Sequence, residues 1–153
     1  MQVSYHKDHE SAYQKLITDI ALSPDNIFPL LATTTGVQQW FPELSVRGEK
    51  VLTFDYGKET EEDLEIYKYE NPKALHFEWF GGEVEFLLEG DEFQSKVMLN
   101  QRLPLDTENL AQDFAGWQKC FENIKHISEG EKVEDFKEGE LSQKIADIEA
   151  GLQ

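Results

Sequence analysis

The sequence offers little that would suit a membrane or secreted protein. Cys120 is the only cysteine, so an internal disulfide is excluded and a reducing compartment is favoured. No apolar run approaches the roughly 20 residues that cross a bilayer. The first residues, MQVSYHKDHESAYQKL, contain no apolar segment typical of a secretory signal. We therefore expect a cytoplasmic protein that does not bind a membrane.

Cations are also scarce. The chain has 14 Lys and Arg residues against 31 Asp and Glu residues, which gives a formal net charge of −17. Such a field repels phosphate groups, so nucleic acid is not an expected partner. The simplest role of the excess charge is solubility.

Internal repeats, low-complexity tracts and Gly/Ser/Pro linkers are absent too. What the 153 residues do contain is ten Phe, five Tyr and three Trp within a hydrophobic fraction of 39%. That many aromatic residues are not typical of a disordered chain. The length and composition predict one folded domain with a substantial core.

The N-terminal part predicts a strand followed by a short helix. Residues 1–12 have no sustained pattern and are expected to be flexible, whereas apolar residues alternate over 13–22 as in a half-buried strand. Ser23 is placed to cap a helix that has Pro24 at its first position. This helix should be short, because Pro29 cannot donate to the carbonyl four residues earlier.

A second short helix is predicted over TGVQQWF, just before Pro42, and strands follow from Leu44 to Leu103. The segment EVEFLLEG illustrates the pattern, because its apolar residues alternate with glutamates. Strands with one wet face, separated by short turns, predict an antiparallel meander of about six strands.

The period changes after Pro104, and a long helix is predicted from Thr107 to Glu129. Its apolar stripe repeats every three or four residues and comprises Leu110, Phe114, Trp117, Phe121, Ile124 and Ile127. A bulky stripe of this length needs a matching apolar surface, and the inner face of the meander is the one available. The order is therefore strand, two small helices, strands and long helix.

Residues 131–153 predict a C-terminal amphipathic helical extension. Leu141, Ile145, Ile148 and Leu152 form its apolar stripe, which must dock on this domain or on another chain. Because the tail is short, we favour docking on its own domain.

Several segments together resemble the START-like, or helix-grip, superfamily. Within it, the chain is similar to the homologues of the activator of the heat-shock-protein-90 ATPase, as a bacterial single-domain member. The segments are SPDNIFPLLATTTGVQQWF, YKYENPKALHFEW, SKVMLNQRLP and FAGWQKCFENI, and the match covers roughly residues 13–130. The matching motif residues are Ser23 and Pro24, Gly36 with Trp40 and Phe41, Pro72 with Phe77 and Trp79, and Gly116 with Trp117.

The resemblance implies an α+β helix-grip domain over 13–130. A curved antiparallel sheet of about six or seven strands would wrap around the long C-terminal helix, with two short helices after the first strand. The sequence departs from the family pattern at Pro29, which interrupts a helix, and at FQS, where a Gly-Thr pair is frequent.

The resemblance also implies a ligand cavity between the long helix and the sheet. The residues expected to line it are Trp40, Phe54, Phe77, Trp79, Phe86, Phe114, Trp117 and Phe121. Tyr56, Tyr67 and Gln101 are expected to offer hydrogen bonds at its mouth. Eight aromatic side chains could equally pack together as an ordinary core. With few cations at inward positions, the expected ligand is hydrophobic or amphipathic and not a free carboxylate.

Catalytic, metal and cofactor sites are not predicted. His6 and His9 have a spacing that can bind metal on a helix, but they lie near the terminus without a distant third ligand. Cys120 beside the apolar stripe is expected to be a buried, inert thiol. The predicted inner face is nearly all apolar, which disfavours an enzyme; an inward-facing His76 or Glu78 would favour one.

Three hypotheses for the function follow, in order of preference. The first is a non-catalytic domain that binds a small hydrophobic ligand. The second, implied by the family, is a stress-response interaction protein with a chaperone partner, to which the acidic surface would bind. The third is a cyclase-like or hydrolytic enzyme. We expect a monomer or a weak homodimer.

Overall fold

The computed structural model describes residues 1–153 and contains eight strands and four helices. The strands are β1 Gln2–Lys7, β2 Ser11–Ile20, β3 Leu44–Arg47, β4 Val51–Gly57, β5 Thr60–Glu70, β6 Ala74–Trp79, β7 Gly82–Gly90 and β8 Ser95–Pro104. The helices are α1 Pro24–Ala32, α2 Thr34–Val37, α3 Leu110–Ser128 and α4 Glu140–Gly151. The predicted order, with two short helices after the strand over 13–22 and a long helix after the meander, is confirmed.

All eight strands form one curved antiparallel sheet in the order β1-β2-β8-β7-β6-β5-β4-β3. Each strand from β3 to β8 pairs with its neighbour in sequence. The exception is β2, which pairs with β8 along its whole length, from Ser11 opposite Pro104 to Ile20 opposite Ser95. This pairing brings the N-terminal strands beside the last strand before α3. The fold is the predicted α+β helix-grip architecture, with eight strands where six or seven were expected.

The N-terminus accounts for part of the difference, because residues expected to be flexible contain β1. This strand pairs with β2 from Gln2 opposite Ile17 to Lys7 opposite Ala12. Tyr5 lies opposite the buried Gln14 and packs against the core. A single half-buried aromatic in a polar hexapeptide gives no clear periodicity, so the strand depends on pairing with β2 and could not be predicted locally.

Helices α1 and α2 cover one end of the sheet; α1 begins as the sequence predicts, whereas α2 spans Thr34–Val37 and ends four residues before the predicted end at Phe41. Ser23 is the N-cap residue and Pro24 the first helical position, but α1 continues through Pro29 to Ala32. Gly36 in α2 lies directly against the backbone of Pro29 and Leu30, and an added Cβ would collide with the Pro29 carbonyl oxygen. Glycine at this position therefore allows the two short helices to pack closely.

Helix α3 lies on the inner face of the sheet, where its apolar stripe is buried. It begins at Leu110, three residues after the predicted start, and its N-cap is Asn109 in the left-handed conformation. Asparagine tolerates that conformation better than most residues. Phe114, Trp117, Phe121 and Ile124 are each at most 2% exposed and belong to one continuous core.

The C-terminal segment folds back along α3. Helix α4 packs against α3 and β1, and Ile148 is its fully buried residue. Lys119 and Lys144 tie the two helices together through ion pairs with Glu122 and Glu140. None of the four helices is both long enough and apolar enough to span a membrane.

Candidate functional site

An aromatic groove opens between α3, the loop after α2 and the ends of β4 and β6. Its volume is about 490 Å³, within the range of about 300–1,000 Å³ for small-molecule sites. The lining residues are Trp40, Phe41, Pro42, Glu43, Phe54, Trp79, Asp113, Gly116, Trp117, Cys120 and Phe136. We call this feature the α3 groove.

A larger depression of about 1050 Å³ lies elsewhere, between the N-terminus of α1 and the turns joining β5 to β6 and β7 to β8. Lys68, Lys73, Glu89 and Glu92 are among its many charged side chains. Ligand sites are predominantly apolar with a few placed polar groups. The smaller α3 groove has that composition, and we therefore take it as the candidate site.

The structure brings four of the predicted aromatic residues together in the groove: Trp40, Phe54, Trp79 and Trp117. Another four do not line it, and each is at most 1% exposed: Phe77, Phe86, Phe114 and Phe121. The eight predicted residues thus divide evenly between an open wall and a packed core. The sequence left open whether these rings line a cavity or pack as a core, and each alternative applies to one half of them.

The predicted hydrogen-bonding residues also divide. Gln101 is buried and does not line the groove, but its side-chain amide donates to Asp113, which does. Tyr56 is 52% exposed and extends the aromatic surface beyond the groove, with its ring 4.9 Å from that of Phe54. Tyr67 is 51% exposed and lies against His76 instead, so it is not at the groove.

Local sequence explains how Trp40 is held at one end of the groove. Its indole Nε1–H donates to the carbonyl of Leu30 at 2.9 Å. That carbonyl lies in the last turn of α1, where backbone carbonyls have no N–H donor within the helix. The Thr33 hydroxyl donates to the Pro29 carbonyl at 2.7 Å and accepts from the Gly36 amide at 3.0 Å. Thr33, in the polar run before Trp40, thus satisfies a backbone carbonyl at the end of α1 and caps the start of α2.

Trp117 is the centre of the aromatic wall. Its ring lies 5.0 Å from Trp79, 5.5 Å from Phe41 and 6.0 Å from Trp40, measured between centroids. The planes of Trp117 and Trp79 are inclined by 84°, an edge-to-face arrangement that aromatic pairs prefer. Because these contacts hold the rings, the wall of the groove is preformed.

Asp113 is the functional candidate that sequence reasoning missed. Its Oδ1 accepts from Gln101 Nε2 at 2.7 Å, and Trp79 Nε1–H is directed at both carboxylate oxygens, at 3.3 and 3.2 Å. Burial raises the pKa of Asp113 above its ordinary value, while the hydrogen bonds from Gln101 and Trp79 act in the opposite direction. No Lys, Arg or His forms an ion pair with it.

A row of glutamine amides leads from the far side of α3 to Asp113. Gln118 Nε2 donates to Gln14 Oε1 at 3.0 Å, Gln14 Nε2 donates to Gln101 Oε1 at 2.8 Å, and Gln101 donates to the carboxylate. Because an ionised carboxylate can only accept, it fixes the orientation of every amide in the row. Gln118 also donates to the Tyr5 hydroxyl at 2.8 Å, which ties the row to β1.

Cys120 lies in the groove wall but is not an activated thiol. Burial, together with the charges of Glu43 and Asp113, raises the pKa of Cys120 to about 12. Its Sγ–H is directed at the Trp40 carbonyl at 3.8 Å. A thiol with this pKa is protonated at neutral pH, so it contributes polarisable surface and not a nucleophile.

The C-terminal segment supplies Phe136, the one lining residue from outside residues 13–130. Asn123 on α3 holds this segment by two backbone contacts with Glu134, each 2.9 Å long. Lys119 Nζ lies 5.4 Å from the centre of the Phe136 ring, within range of a cation–π contact. The segment therefore closes one side of the groove.

Other polar residues considered from the sequence lie away from the groove. His76 forms an ion pair with Glu83 at 3.1 Å on the outer face, and Glu78 lies on the same face of β6. His6 stacks on Tyr13 with 5.3 Å between ring centroids. Neither an inward His76 nor an inward Glu78, the features that would favour an enzyme, is present.

The chain is similar in fold to several solved structures. A conserved protein of unknown function from Enterococcus faecalis, EF2215, aligns with a TM-score of 0.88 and 23% identity over 99% of this chain and 92% of its own. CalU16 from Micromonospora echinospora aligns with a TM-score of 0.69 and 15% identity, over 98% and 95% of the two chains. The Aha1 dimer from Colwellia psychrerythraea gives 0.64 and 20%, over 84% and 97%.

No family model matches the chain, and no curated protein matches it. At identities below 25%, the solved structures establish the fold and no more. They agree with an α+β helix-grip domain.

Proposed function

We propose that this chain is a START-like domain, related to the homologues of the activator of the heat-shock-protein-90 ATPase, that binds a small hydrophobic or amphipathic molecule in the α3 groove without catalysis. Support comes from the composition of the groove, in which aromatic walls surround a few polar atoms. Its volume suits one small molecule.

Gly116 is the observation that carries the proposal. Glycine inside a helix is about 0.8–1.0 kcal/mol less favourable than alanine. A Cβ at Gly116 would meet no atom within 4 Å outside its own helix, so close packing does not require glycine here. Glycine at this position therefore makes the helix less stable than alanine would. It also leaves the floor of the groove open, which a ligand site requires.

The proposal can be tested by filling that floor. Gly116→Leu adds a side chain where the groove is open, whereas Gln112→Leu adds the same side chain on the exposed side of α3. The probe is the neutral fluorophore N-phenyl-1-naphthylamine, titrated by its fluorescence. We expect one site in the original chain and in Gln112→Leu, and at least tenfold weaker binding to Gly116→Leu.

Thermal unfolding of both variants is the control, because Gly116→Leu should be at least as stable as the original chain. A wild-type chain that does not bind the probe would contradict the proposal. Equal binding by the original chain and Gly116→Leu would place the probe outside the groove and contradict it as well.

Binding is favoured over catalysis by the ionisable groups at the groove. These are two carboxylates, Glu43 and Asp113, and the Cys120 thiol with its pKa of about 12. No nucleophile among them is hydrogen-bonded to a base, which is the arrangement that activates a nucleophile. A cyclase-like or hydrolytic reaction therefore ranks last among the proposals.

A second function is supported by the likeness to the Colwellia Aha1 dimer. As a chaperone-associated protein, the chain would use its charge of −17 to bind a basic surface. The test is surface-immobilised bacterial chaperone of the heat-shock-protein-90 class at low and at physiological salt. Association at neither salt would contradict this role. Sedimentation would test the accompanying proposal of a weak homodimer.

A further inference from the structure

The charged side chains that line the α3 groove are all acidic. They are Asp113 on α3 and Glu43 in the loop before β3, and no Lys, Arg or His lines the groove. Lys119, whose Nζ lies 5.4 Å from the centre of the Phe136 ring, is already paired with Glu122 and Glu140. With the whole chain at −17, the local charge and the overall field have the same sign. An anionic ligand is thus repelled and a cationic one attracted.

Asp113 accepts hydrogen bonds from protein side chains but has no counterion. Gln101 and Trp79 donate to it, and a carboxylate can accept about four hydrogen bonds. The glutamine row directs its amide N–H groups towards this carboxylate, which favours a negative charge at that point. No protein cation neutralises this charge, and Asp113 lines the groove. A ligand in the groove can supply the missing positive charge.

The surrounding rings suit the same ligand. Trp117 lies four residues after Asp113, so both side chains lie on one side of α3. Trp79, which donates to Asp113, is 5.0 Å from Trp117 between centroids. The faces of indole rings attract organic cations, and quaternary ammonium groups are often bound by aromatic residues. The Asp113 carboxylate and the indole rings therefore line the same groove and are both available to one ligand.

We propose that the α3 groove selects a small organic cation, a substituted ammonium whose charge lies at Asp113 and whose apolar body lies against Trp40, Trp79 and Trp117. This inference rests on the proposed ligand-binding function and names the chemical class of the ligand. It excludes fatty acids and other anionic amphiphiles from the same site.

Protonation of Asp113 opposes this binding. Burial already raises the pKa of Asp113, and a bound cation favours the ionised form and lowers that pKa. The affinity for a permanently charged ligand therefore falls as the pH is lowered and Asp113 takes up a proton. The other titratable groups that line the groove are Glu43 and Cys120, and the Cys120 thiol, with its pKa of about 12, stays neutral at neutral and acid pH. Gln101 and Trp79, the other groups facing Asp113, do not titrate.

The test compares two probes of one shape, phenethyltrimethylammonium and its neutral isostere with carbon in place of nitrogen. All three tryptophans of the chain line the groove, so intrinsic fluorescence reports on it directly. We expect the cation to bind the original chain about tenfold more tightly than the isostere at pH 7. This preference should diminish as the pH is lowered from 7 and Asp113 takes up a proton.

Asp113→Asn should remove most of the preference and most of its pH dependence. Asp106→Asn removes the same charge from an exposed position just before α3 and should retain the preference. Glu43→Gln provides a second groove variant, for which we expect a smaller loss. Thermal unfolding verifies that each variant is folded.

Equal affinity for the cation and the isostere in the original chain would overturn the inference and leave the groove as a neutral ligand site. The same reduction in Asp113→Asn and Asp106→Asn would also overturn it, because the overall field alone would then explain the preference. Binding of neither probe to the original chain would count against both the inference and the proposed function.

Discussion

Two sides of helix α3 face the protein interior, and they differ in how completely other residues pack against them. On the side of Phe114 and Gln118, the space between α3 and the strands β2 and β8 is closed by packed rings and a row of glutamine amides. On the side of Asp113, Gly116 and Trp117, aromatic rings pack along the walls but leave about 490 Å³ open. The two sides belong to the same helix, and neighbouring turns contribute to both.

The closed side is buried without leaving polar groups unsatisfied. None of the buried side-chain nitrogen or oxygen atoms lacks a hydrogen-bond partner, as native interiors require. The open side is lined by a glycine at which a larger residue would fit. The groove is thus a specific property of one side of α3 and not a general defect of packing.

The largest expected difference between the sides is in side-chain truncation. Phe114→Ala on the closed side should reduce the free energy of unfolding by about 3–5 kcal/mol, because a fully buried ring is replaced by a cavity. Phe54→Ala at the groove should cost clearly less, since that ring is only half-buried and already borders open space. Urea unfolding followed by circular dichroism measures both. Equal losses would mean that the groove wall is packed as tightly as the core.

The glutamine row should be the next most sensitive feature. Gln14→Leu leaves Gln101 Oε1 without its donor and one of the two N–H groups of Gln118 Nε2 without its acceptor, and each buried unsatisfied group costs about 1–3 kcal/mol. We expect a loss of at least about 2 kcal/mol in the same urea experiment. Lys15→Leu, on the exposed face of the same strand, is the control and should change stability by less than about 0.5 kcal/mol. If the two variants are equivalent, the row is not a stabilising network.

The order of the elements and the buried stripe of α3 could be predicted because each depends on a local period. The buried Val84, Phe86 and Leu88 alternate with partly exposed positions, and Phe114 and Trp117 recur at helical spacing. These patterns identify the faces that meet. They do not determine which rings complete the core and which remain at an opening, because that depends on three-dimensional packing.

The missed residues depend on contacts between distant segments. Asp113 lies in the first turn of α3, where an acidic residue is common for helix electrostatics alone. It becomes a site residue through Trp79 and Gln101, which lie 34 and 12 residues earlier. Phe136 lies in a segment without periodicity. Tyr67 lies outside the groove because it follows the buried Ile66 on β5, and alternation along a strand places its side chain on the opposite face, beside His76.

Adding one methyl group to the open side should stabilise the protein. Gly116→Ala replaces a mid-helix glycine at a site with free space, so the free energy of unfolding should rise by about 0.8–1.0 kcal/mol. The measurement is again urea unfolding. A decrease in stability would mean that the groove floor has no room for the methyl group, and the contrast between the two sides of α3 would lose its main support.

The smallest effect we expect concerns the charge in the groove, and it changes with pH. Burial raises the pKa of Asp113 in the folded chain above its ordinary value of 3.8. As the pH rises above 3.8, the unfolded chain therefore loses this proton first, and the folded state loses stability until Asp113 has also ionised.

In Asp113→Asn, the amide oxygen can take the place of Oδ1, which accepts from both Gln101 and Trp79. The variant should thus melt at a higher temperature than the original chain at pH 7, and the difference should disappear below pH 3.8. Melting temperatures measured from pH 3 to pH 8 test this; a variant less stable at pH 7 would mean that the glutamine row stabilises the carboxylate more than burial opposes it.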